Sequence, residues 1–138
     1  MRKIVCAVIV SVLLSANTWA GDGVTTRVEE LAKTRQSWDG GVLPHYPTGH
    51  PEITILRITI PPGVELPMHK HPVINAGVLL KGELTVVTEK DETLHLTAGE
   101  SIVEVVDKWH YGRNEGSHQA EIIVFYAGTS GVPITVTK

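Results

Sequence analysis

Short apolar runs rich in β-branched residues alternate with glycine and proline breaks from residue 52 to the end of the chain. Runs of this length and composition, separated by turn residues, are typical of β-strands. The predicted strands cover residues 53–60, 73–80, 83–89, 93–96, 101–106, 122–126 and 134–136. Their regular spacing predicts an all-β protein built as an antiparallel sandwich or barrel.

The region before residue 52 has a weaker pattern. Its apolar positions in residues 24–33 fit one face of a helix, but the same segment could equally begin the first sheet. Residues 43–51 contain three prolines and one glycine, which indicates a loop. No repeat or low-complexity linker divides residues 21–138, so we expect a single domain there.

The N-terminus has the pattern of a secretory signal peptide. Arg2 and Lys3 precede an apolar run over residues 4–14, and small residues then lead to Ala20. The run is too short to span a bilayer of roughly 30 Å comfortably, so we expect cleavage after Ala20 rather than a retained membrane anchor. The mature protein is therefore expected in the periplasm or secreted.

Cleavage would change the charge and the redox chemistry of the chain. It removes Arg2, Lys3 and no acidic residue, so the formal charge moves from −3 to −5. It also removes Cys6, the single cysteine, so the product would have no thiol and no disulfide. The remaining 118 residues are enough to build a core. Nothing in this charge balance suggests nucleic acid as a partner.

Two closely spaced histidines are the candidate chemistry of the chain. His69 and His71 are two positions apart, so an extended strand projects both imidazoles from one face. Neutral imidazole is the commonest biological metal ligand. An isolated histidine in a strand is more often a surface residue, and that is the interpretation for the remaining histidines, His45, His50, His95 and His118.

Residues 63–114 resemble the two signature segments of the cupin family. The matching positions are Gly63, His69, His71 and Gly82 in the first segment and Gly99, His110 and Asn114 in the second. The resemblance implies a double-stranded β-helix, a jelly-roll barrel, over residues 52–138, preceded by an N-terminal strand and loop segment over residues 21–51. It also implies that His69, His71 and His110 bind a divalent metal, which could be Fe, Cu, Mn, Ni or Zn.

The match has departures in both segments. Asn75 stands where the family usually has a glutamate ligand, which exchanges an anionic oxygen for a neutral carbonyl oxygen. Two roles stay open for Asn75: a fourth metal ligand, or a hydrogen-bonding group outside the ligand set. In the second segment, Val105 and Asp107 replace the usual proline and glycine of the turn before His110, which weakens the prediction of that turn.

The resemblance implies an exported metal-binding cupin whose barrel holds a small molecule. A metal-dependent dioxygenase or other small-molecule oxidoreductase is the alternative, because three-histidine cupins resemble thiol and diketone dioxygenases. No clear acid or base is identified, since Glu104 and Arg57 would line the barrel only if strand phase directs them inward. A metal-free isomerase of sugar nucleotides would need a basic lining, and the basic residues are scattered. A homodimer is a family-level expectation.

Overall fold

The computed structural model describes residues 25–138, which form nine β-strands joined by turns and loops, without an α-helix. The strands are β1 (Pro51–Ile60), β2 (His69–Lys70), β3 (Ile74–Lys81), β4 (Glu83–Thr88), β5 (Thr93–Thr97), β6 (Ser101–Val103), β7 (His110–Arg113), β8 (Ala120–Thr129) and β9 (Val136–Thr137). This described part of the chain accordingly has no helix suited to crossing a membrane. The predicted signal peptide, residues 1–20, lies outside the described residues.

The strands form two antiparallel sheets that pack face to face. One sheet has the strand order β1-β8-β3-β6, and the other has the order β5-β4-β7-β2-β9. Within residues 25–138 no strand belongs to both sheets, so the jelly roll consists of two packed sheets and is not closed into a continuous barrel. The predicted all-β jelly-roll class is confirmed.

The long strands β1 and β8 show why the sequence folds into these layers. They pair over their whole length, from Pro51 opposite Thr129 to Ile60 opposite Ala120. Along β8, Ile122, Val124 and Tyr126 are buried, whereas Phe125 between the last two is half exposed. This alternation is the period of two expected for a strand with one face against a core.

The core lies between the sheets and takes apolar side chains from both of them. Its fully buried members are Ile60, Val73, Leu79, Leu84, Val86, Leu96, Ile102, Ala120, Ile122, Val124 and Tyr126. The eight-residue and ten-residue strands β1, β3 and β8 all belong to the first sheet, so one side of the space between the sheets is formed by long paired strands.

The seven strands predicted from apolar runs are all present, with shifted ends. The largest shifts are of three residues: β6 ends at Val103 although the predicted run continues to residue 106, and β8 ends at Thr129 although the predicted run ends at residue 126. Residues 25–33 form neither helix nor strand and are exposed, so neither alternative predicted for that segment is found there. The first strand starts at Pro51, one residue before the predicted start of the jelly roll, and the division into residues 21–51 and 52–138 stays a prediction.

A turn over residues 36–42 attaches the N-terminal segment to the first sheet. Gln36 and Val42 form an isolated antiparallel bridge, and the Trp38 N–H donates a hydrogen bond of 2.9 Å to the Val103 carbonyl at the end of β6. The Asp39 carboxylate at the tip of this turn pairs with the Lys108 ammonium. The N-terminal segment therefore covers the part of the fold where β6 leads toward β7.

Candidate metal centre

The three histidines of the predicted site meet in one cavity between the two sheets. The cavity has a volume of about 250 Å³. Its walls come from β1, β3 and β8 on one side and from β2, β4, β7 and β9 on the other. The polar lining side chains are His69, His71, Asn75, Glu104, His110, Tyr126, Thr135 and Thr137. Most of the other lining residues are aliphatic, so the polar side chains form one cluster within a mainly apolar cavity.

Strand pairing brings the histidines together. His69 on β2 lies directly opposite His110 on β7 in an antiparallel pair, which places the two side chains on the same face. His71 follows two residues after His69, and its ring centroid is 4.9 Å from that of His69 and 5.0 Å from that of His110. One ring nitrogen from each histidine lies within 4.8 Å of the other two. The three histidines are therefore close enough together to form a group that could hold one metal ion.

Backbone carbonyls fix the tautomer of all three imidazoles. Nδ1 of His69 lies 2.7 Å from the Pro67 oxygen, Nδ1 of His71 lies 2.8 Å from the Ile134 oxygen, and Nδ1 of His110 lies 2.9 Å from the Lys108 oxygen. A carbonyl oxygen can only accept, so each Nδ1 carries the proton and donates it. Each Nε2 is left with a lone pair, which is the tautomer and outer support found at histidine metal ligands.

Burial keeps these imidazoles in the neutral form that binds metal. Desolvation lowers the pKa of His69, His71 and His110, although a hydrogen bond to a backbone carbonyl acts in the opposite direction at each of them. For His71 the pKa falls to about 4. Metal ligation requires the unprotonated nitrogen, so protons compete little with a cation at neutral pH.

Asn75 lies in the same cavity, as the resemblance implied. It is 1% exposed on β3, and its Oδ1 is buried without a hydrogen-bond partner in the part of the chain that the structure describes. Its Nδ2 is 3.4 Å from the Val73 carbonyl, which is a long hydrogen bond. The amide therefore brings an unused neutral oxygen to the cavity, and its role as a ligand stays a prediction.

Glu104 is the functional candidate that sequence reasoning left undecided. It follows β6 and lines the cavity with a side chain that is 12% exposed, and its Oε2 lies 3.7 Å from Nε2 of His110. Burial raises the pKa of Glu104 to about 7, against the lowering effects of the Val105 backbone, His69 and Trp38. A charged residue inside the apolar run Ser-Ile-Val-Glu-Val-Val, two positions after the buried Ile102, is the sequence signal that could have identified it.

The turn before His110 contains a residue in the left-handed conformation at the position of the motif glycine. Asp107 stands where the family motif has glycine, and it adopts the left-handed conformation with φ of 54°. Aspartate is among the non-glycine residues that tolerate this region. The Asp107 N–H also donates to the His71 carbonyl at 2.9 Å, which ties the turn directly to a site histidine.

Asn114 and the other histidines lie outside the metal centre. Asn114 is 1% exposed, its Nδ2 donates to the Ile60 and His118 carbonyls, and its Oδ1 accepts from the Gly116 N–H. Asn114 therefore holds the turn after β7 together and is not a metal ligand. The other histidines are exposed, as expected: His45, His50, His95 and His118.

Comparison with known families identifies the class of protein. Residues 56–126 match the family model described as the cupin domain. The match covers more than half of the chain, so this protein belongs to the cupin family. A search of proteins with curated functions finds no match.

Several solved structures share the fold. An oxalate oxidase in complex with the substrate analogue glycolate is 27% identical with a TM-score of 0.52, over 62% of this chain and 45% of that chain. The oxalate decarboxylase of Lactobacillus farciminis, in a formate complex, is 19% identical with a TM-score of 0.53, over 62% and 26%. An RmlC-like cupin with a double-stranded β-helix from Methanocaldococcus jannaschii is 20% identical with a TM-score of 0.52, over 75% and 87%. The matched region spans less than half of the oxalate oxidase chain.

Proposed function

We propose that this cupin binds one divalent metal ion through His69, His71 and His110 and presents it to a small molecule in the cavity between the sheets. One observation carries the proposal: each Nδ1–H is used on a backbone carbonyl, which leaves Nε2 as the free acceptor of three histidines whose ring nitrogens lie within 4.8 Å of one another. Nε2 of His110 is buried and has no hydrogen-bond partner within residues 25–138. A buried acceptor without a donor is costly, and a cation shared by the three nitrogens removes that cost.

The donor set limits the metal to a group of ions. Three neutral imidazoles with an oxygen donor suit Fe(II), Cu(II), Mn(II), Ni(II) or Zn(II). After export, the site would meet the metals of the periplasm or medium, where affinity generally favours Cu(II) and Zn(II) over Mn(II) and Fe(II). When bound, such an ion would supply a Lewis acid with coordination positions open to a ligand.

The cavity supports a small ligand with an apolar part. Its volume of about 250 Å³ lies below the roughly 300–1,000 Å³ of typical ligand pockets. Among the described residues that line it, none is lysine or arginine, so a bound dianion would have no cationic side chain beside it. We therefore propose a neutral or singly charged ligand that places its polar end at the histidines and its apolar end against Leu56, Ile58 and Val124.

The metal content of the mature protein, residues 21–138, tests this function first. The protein is purified without chelator or affinity-tag histidines and measured by inductively coupled plasma mass spectrometry. We expect about one equivalent of a divalent metal, bound as isolated or after reconstitution. Less than a tenth of an equivalent after reconstitution would refute the proposal and leave a metal-free binding scaffold.

A small-molecule oxidoreductase, such as a dioxygenase, is the second candidate, and the position of Glu104 favours it. An enzyme of this kind needs a group near the metal that accepts a proton from the substrate, and Asn75 cannot supply one. The Glu104 carboxylate lies in the same cavity with a buried oxygen that has no partner. Oxygen uptake by the metal-loaded protein with small acids, including glycolate, and with thiols and diketones would support turnover. Saturable binding without product would support a binding protein.

Export and dimerisation complete the proposal. Export is supported by the order of basic, apolar and small residues over positions 1–20. N-terminal sequencing of the protein from the periplasm or medium should begin at Gly21.

A homodimer is supported by an apolar outer surface in which Ile55 on β1 and Phe125 on β8 are paired neighbours, 57% and 49% exposed. Light scattering should then give twice the chain mass, and Phe125→Glu should give the mass of one chain.

A further inference from the structure

We propose that Glu104 is the carboxylate ligand of this metal centre and that it takes the place of the glutamate that the cupin motif has at position 75. The inference rests on the proposed metal-binding function. It assigns the anionic donor to a residue that is not among the matched motif positions and that directly follows β6, the strand beside β3.

Strand pairing places Glu104 opposite Asn75. Ala76 on β3 is paired with Val103 on β6, and the next pair along the ladder is Asn75 and Glu104. The Glu104 N–H donates a hydrogen bond of 3.1 Å to the Asn75 carbonyl, which extends the ladder by this step. Directly opposed residues of an antiparallel pair project their side chains from the same face, with Cβ atoms about 5 Å apart. A carboxylate at position 104 therefore enters the cavity beside the position where the motif has its glutamate.

The Glu104 carboxylate reaches the histidine group from the side of His110. Its Oε2 lies 3.7 Å from Nε2 of His110. Two ligands on one metal, each with a bond of about 2.1 Å, are separated by about 3.0 Å at a right angle and about 4.2 Å in line. The observed separation falls between these limits, so both atoms can bind the same ion with little movement.

Neither of these two atoms is satisfied within the protein. Oε2 of Glu104 and Nε2 of His110 are both buried and have no hydrogen-bond partner among the described residues. Nδ1 of His110 carries the proton that is donated to Lys108, so Nε2 has only a lone pair, and whenever Glu104 is ionised the two atoms face each other without a proton between them. This contact is unfavourable until a cation lies between the two atoms, and a metal held by the histidines provides that cation.

The amide at position 75 fits this arrangement. Two carboxylates on directly opposed residues of a buried ladder would repel each other, because like charges across a strand pair are destabilising. Asn75 keeps the size of a polar side chain at this position without the second charge. The donor set of three neutral imidazoles and Glu104 thus carries one negative charge, as a set with the usual motif glutamate would. Asn75 and Glu104 together replace a single glutamate.

The test compares charge-matched variants of the mature protein, freed of metal and titrated with Mn(II) against a fluorescent chelator. Glu104→Gln removes the charge and keeps the shape, and Glu52→Gln makes the same change at an exposed position of β1. We expect Glu104→Gln to weaken Mn(II) binding at least about tenfold and Glu52→Gln to leave it unchanged. Asn75→Glu in the Glu104→Gln background should restore affinity, since it returns a carboxylate to the cavity from the opposite strand.

Electron paramagnetic resonance of the Cu(II)-loaded proteins tests direct ligation. We expect Glu104→Gln to change the g and hyperfine values and Glu52→Gln to reproduce the wild-type spectrum. A weakened affinity with an unchanged spectrum would place Glu104 outside the coordination sphere and overturn the assignment. So would wild-type affinity in Glu104→Gln. If these results came with a wild type that binds metal and a His110→Ala variant that does not, the proposed function would stand without this inference. A wild type that binds no metal would overturn both.

Discussion

Two buried carboxylates in neighbouring segments of the fold have opposite surroundings. Asp39, with a side chain that is 1% exposed, accepts hydrogen bonds from the Ser37 hydroxyl at 2.6 Å and the Gly41 N–H at 2.9 Å, and pairs with Lys108. Burial alone would raise its pKa, but these partners outweigh burial and lower it to about 2. Oε2 of Glu104 has no hydrogen-bond partner among the described residues, and burial raises the pKa of Glu104 to about 7.

Asp39 is a carboxylate that stabilises the fold, whereas the fold does not supply Glu104 with the partners that its charged form needs. The charged form of Asp39 is stabilised by its own turn and by Lys108, so it anchors the N-terminal segment. The partners of Glu104 do not offset its burial, and its Oε2 lies 3.7 Å from an imidazole nitrogen with a lone pair. A group of this kind is unfavourable for stability, which is the pattern expected where a site is preorganised for a ligand.

The largest expected effect is the loss of metal binding when a histidine in the cavity that contains Glu104 is replaced. His71→Ala and His110→Ala should each abolish stoichiometric metal binding, because two imidazoles are too few to hold the ion in place. The measurement is metal content after reconstitution and desalting. His45→Ala removes an exposed histidine and is the matched control, with full metal content expected. Full metal content in either site variant would contradict the ligand assignment.

The next effect is a gain in stability when the charge of Glu104 is removed from the metal-free protein. Its pKa is raised in the folded state, so the folded protein retains a proton that the unfolded chain loses between about pH 4.5 and pH 7. Glu104 therefore destabilises the fold increasingly over that window. Glu104→Gln should raise the free energy of unfolding by about 3 kcal/mol at pH 8 and leave it unchanged at pH 4. Urea titrations of the two chelated proteins measure the difference, and a loss of stability at pH 8 would contradict it.

Asp39 should show the opposite sign. Its pKa is lowered in the folded state, so its contribution is fully present above about pH 4 and is lost as the pH falls toward 2. Asp39→Asn should lower the free energy of unfolding by about 2 kcal/mol at pH 7 and have little effect at pH 2. Thermal unfolding across this pH range provides the measurement. Metal content should remain that of the wild type, and a loss of metal would show that the two carboxylates are coupled.

The smallest effect is expected when a carboxylate is added next to Glu104. Asn75→Glu should increase the affinity for a hard cation such as Mn(II) about tenfold, or about 1.4 kcal/mol, because a second anionic oxygen enters the cavity. Competition titration with a chelator measures the change. An unchanged affinity would mean that the side chain at position 75 does not reach the ion.

Local patterns in the sequence were sufficient for most of the fold and for the histidines. Apolar runs between turn residues located seven strands, and the two-residue spacing of His69 and His71 placed them on one face. The strands β2 and β7, which carry His69 and His110, are short and polar, so the pattern of apolar runs did not predict them. They were found through the spacing of the motif.

The surroundings of the two carboxylates, Glu104 and Asp39, could not be predicted from local sequence patterns, for different reasons. Glu104 follows a strand of three residues, and its two neighbours in sequence, Val103 and Val105, are both apolar. The alternation of apolar and polar residues therefore could not predict the direction of the Glu104 side chain. Asp39 depends on Lys108, which is 69 residues away in sequence. Asp107 illustrates the converse, because its replacement of a motif glycine suggested a weaker turn, whereas the aspartate adopts the glycine conformation.

The support of His71 by Ile134 has a consequence for the order of events during folding. The imidazole is oriented by a carbonyl 63 residues further along the chain, and Thr137 of β9 pairs with His69 on β2. Residues 134–137 must therefore be synthesised and docked before two of the three ligands are held in place. A contact between segments so distant in sequence forms late, since the loop between them must close first. We expect this cupin to acquire its metal only after the chain has folded, so that metal supply governs how much protein is loaded and not how much protein folds.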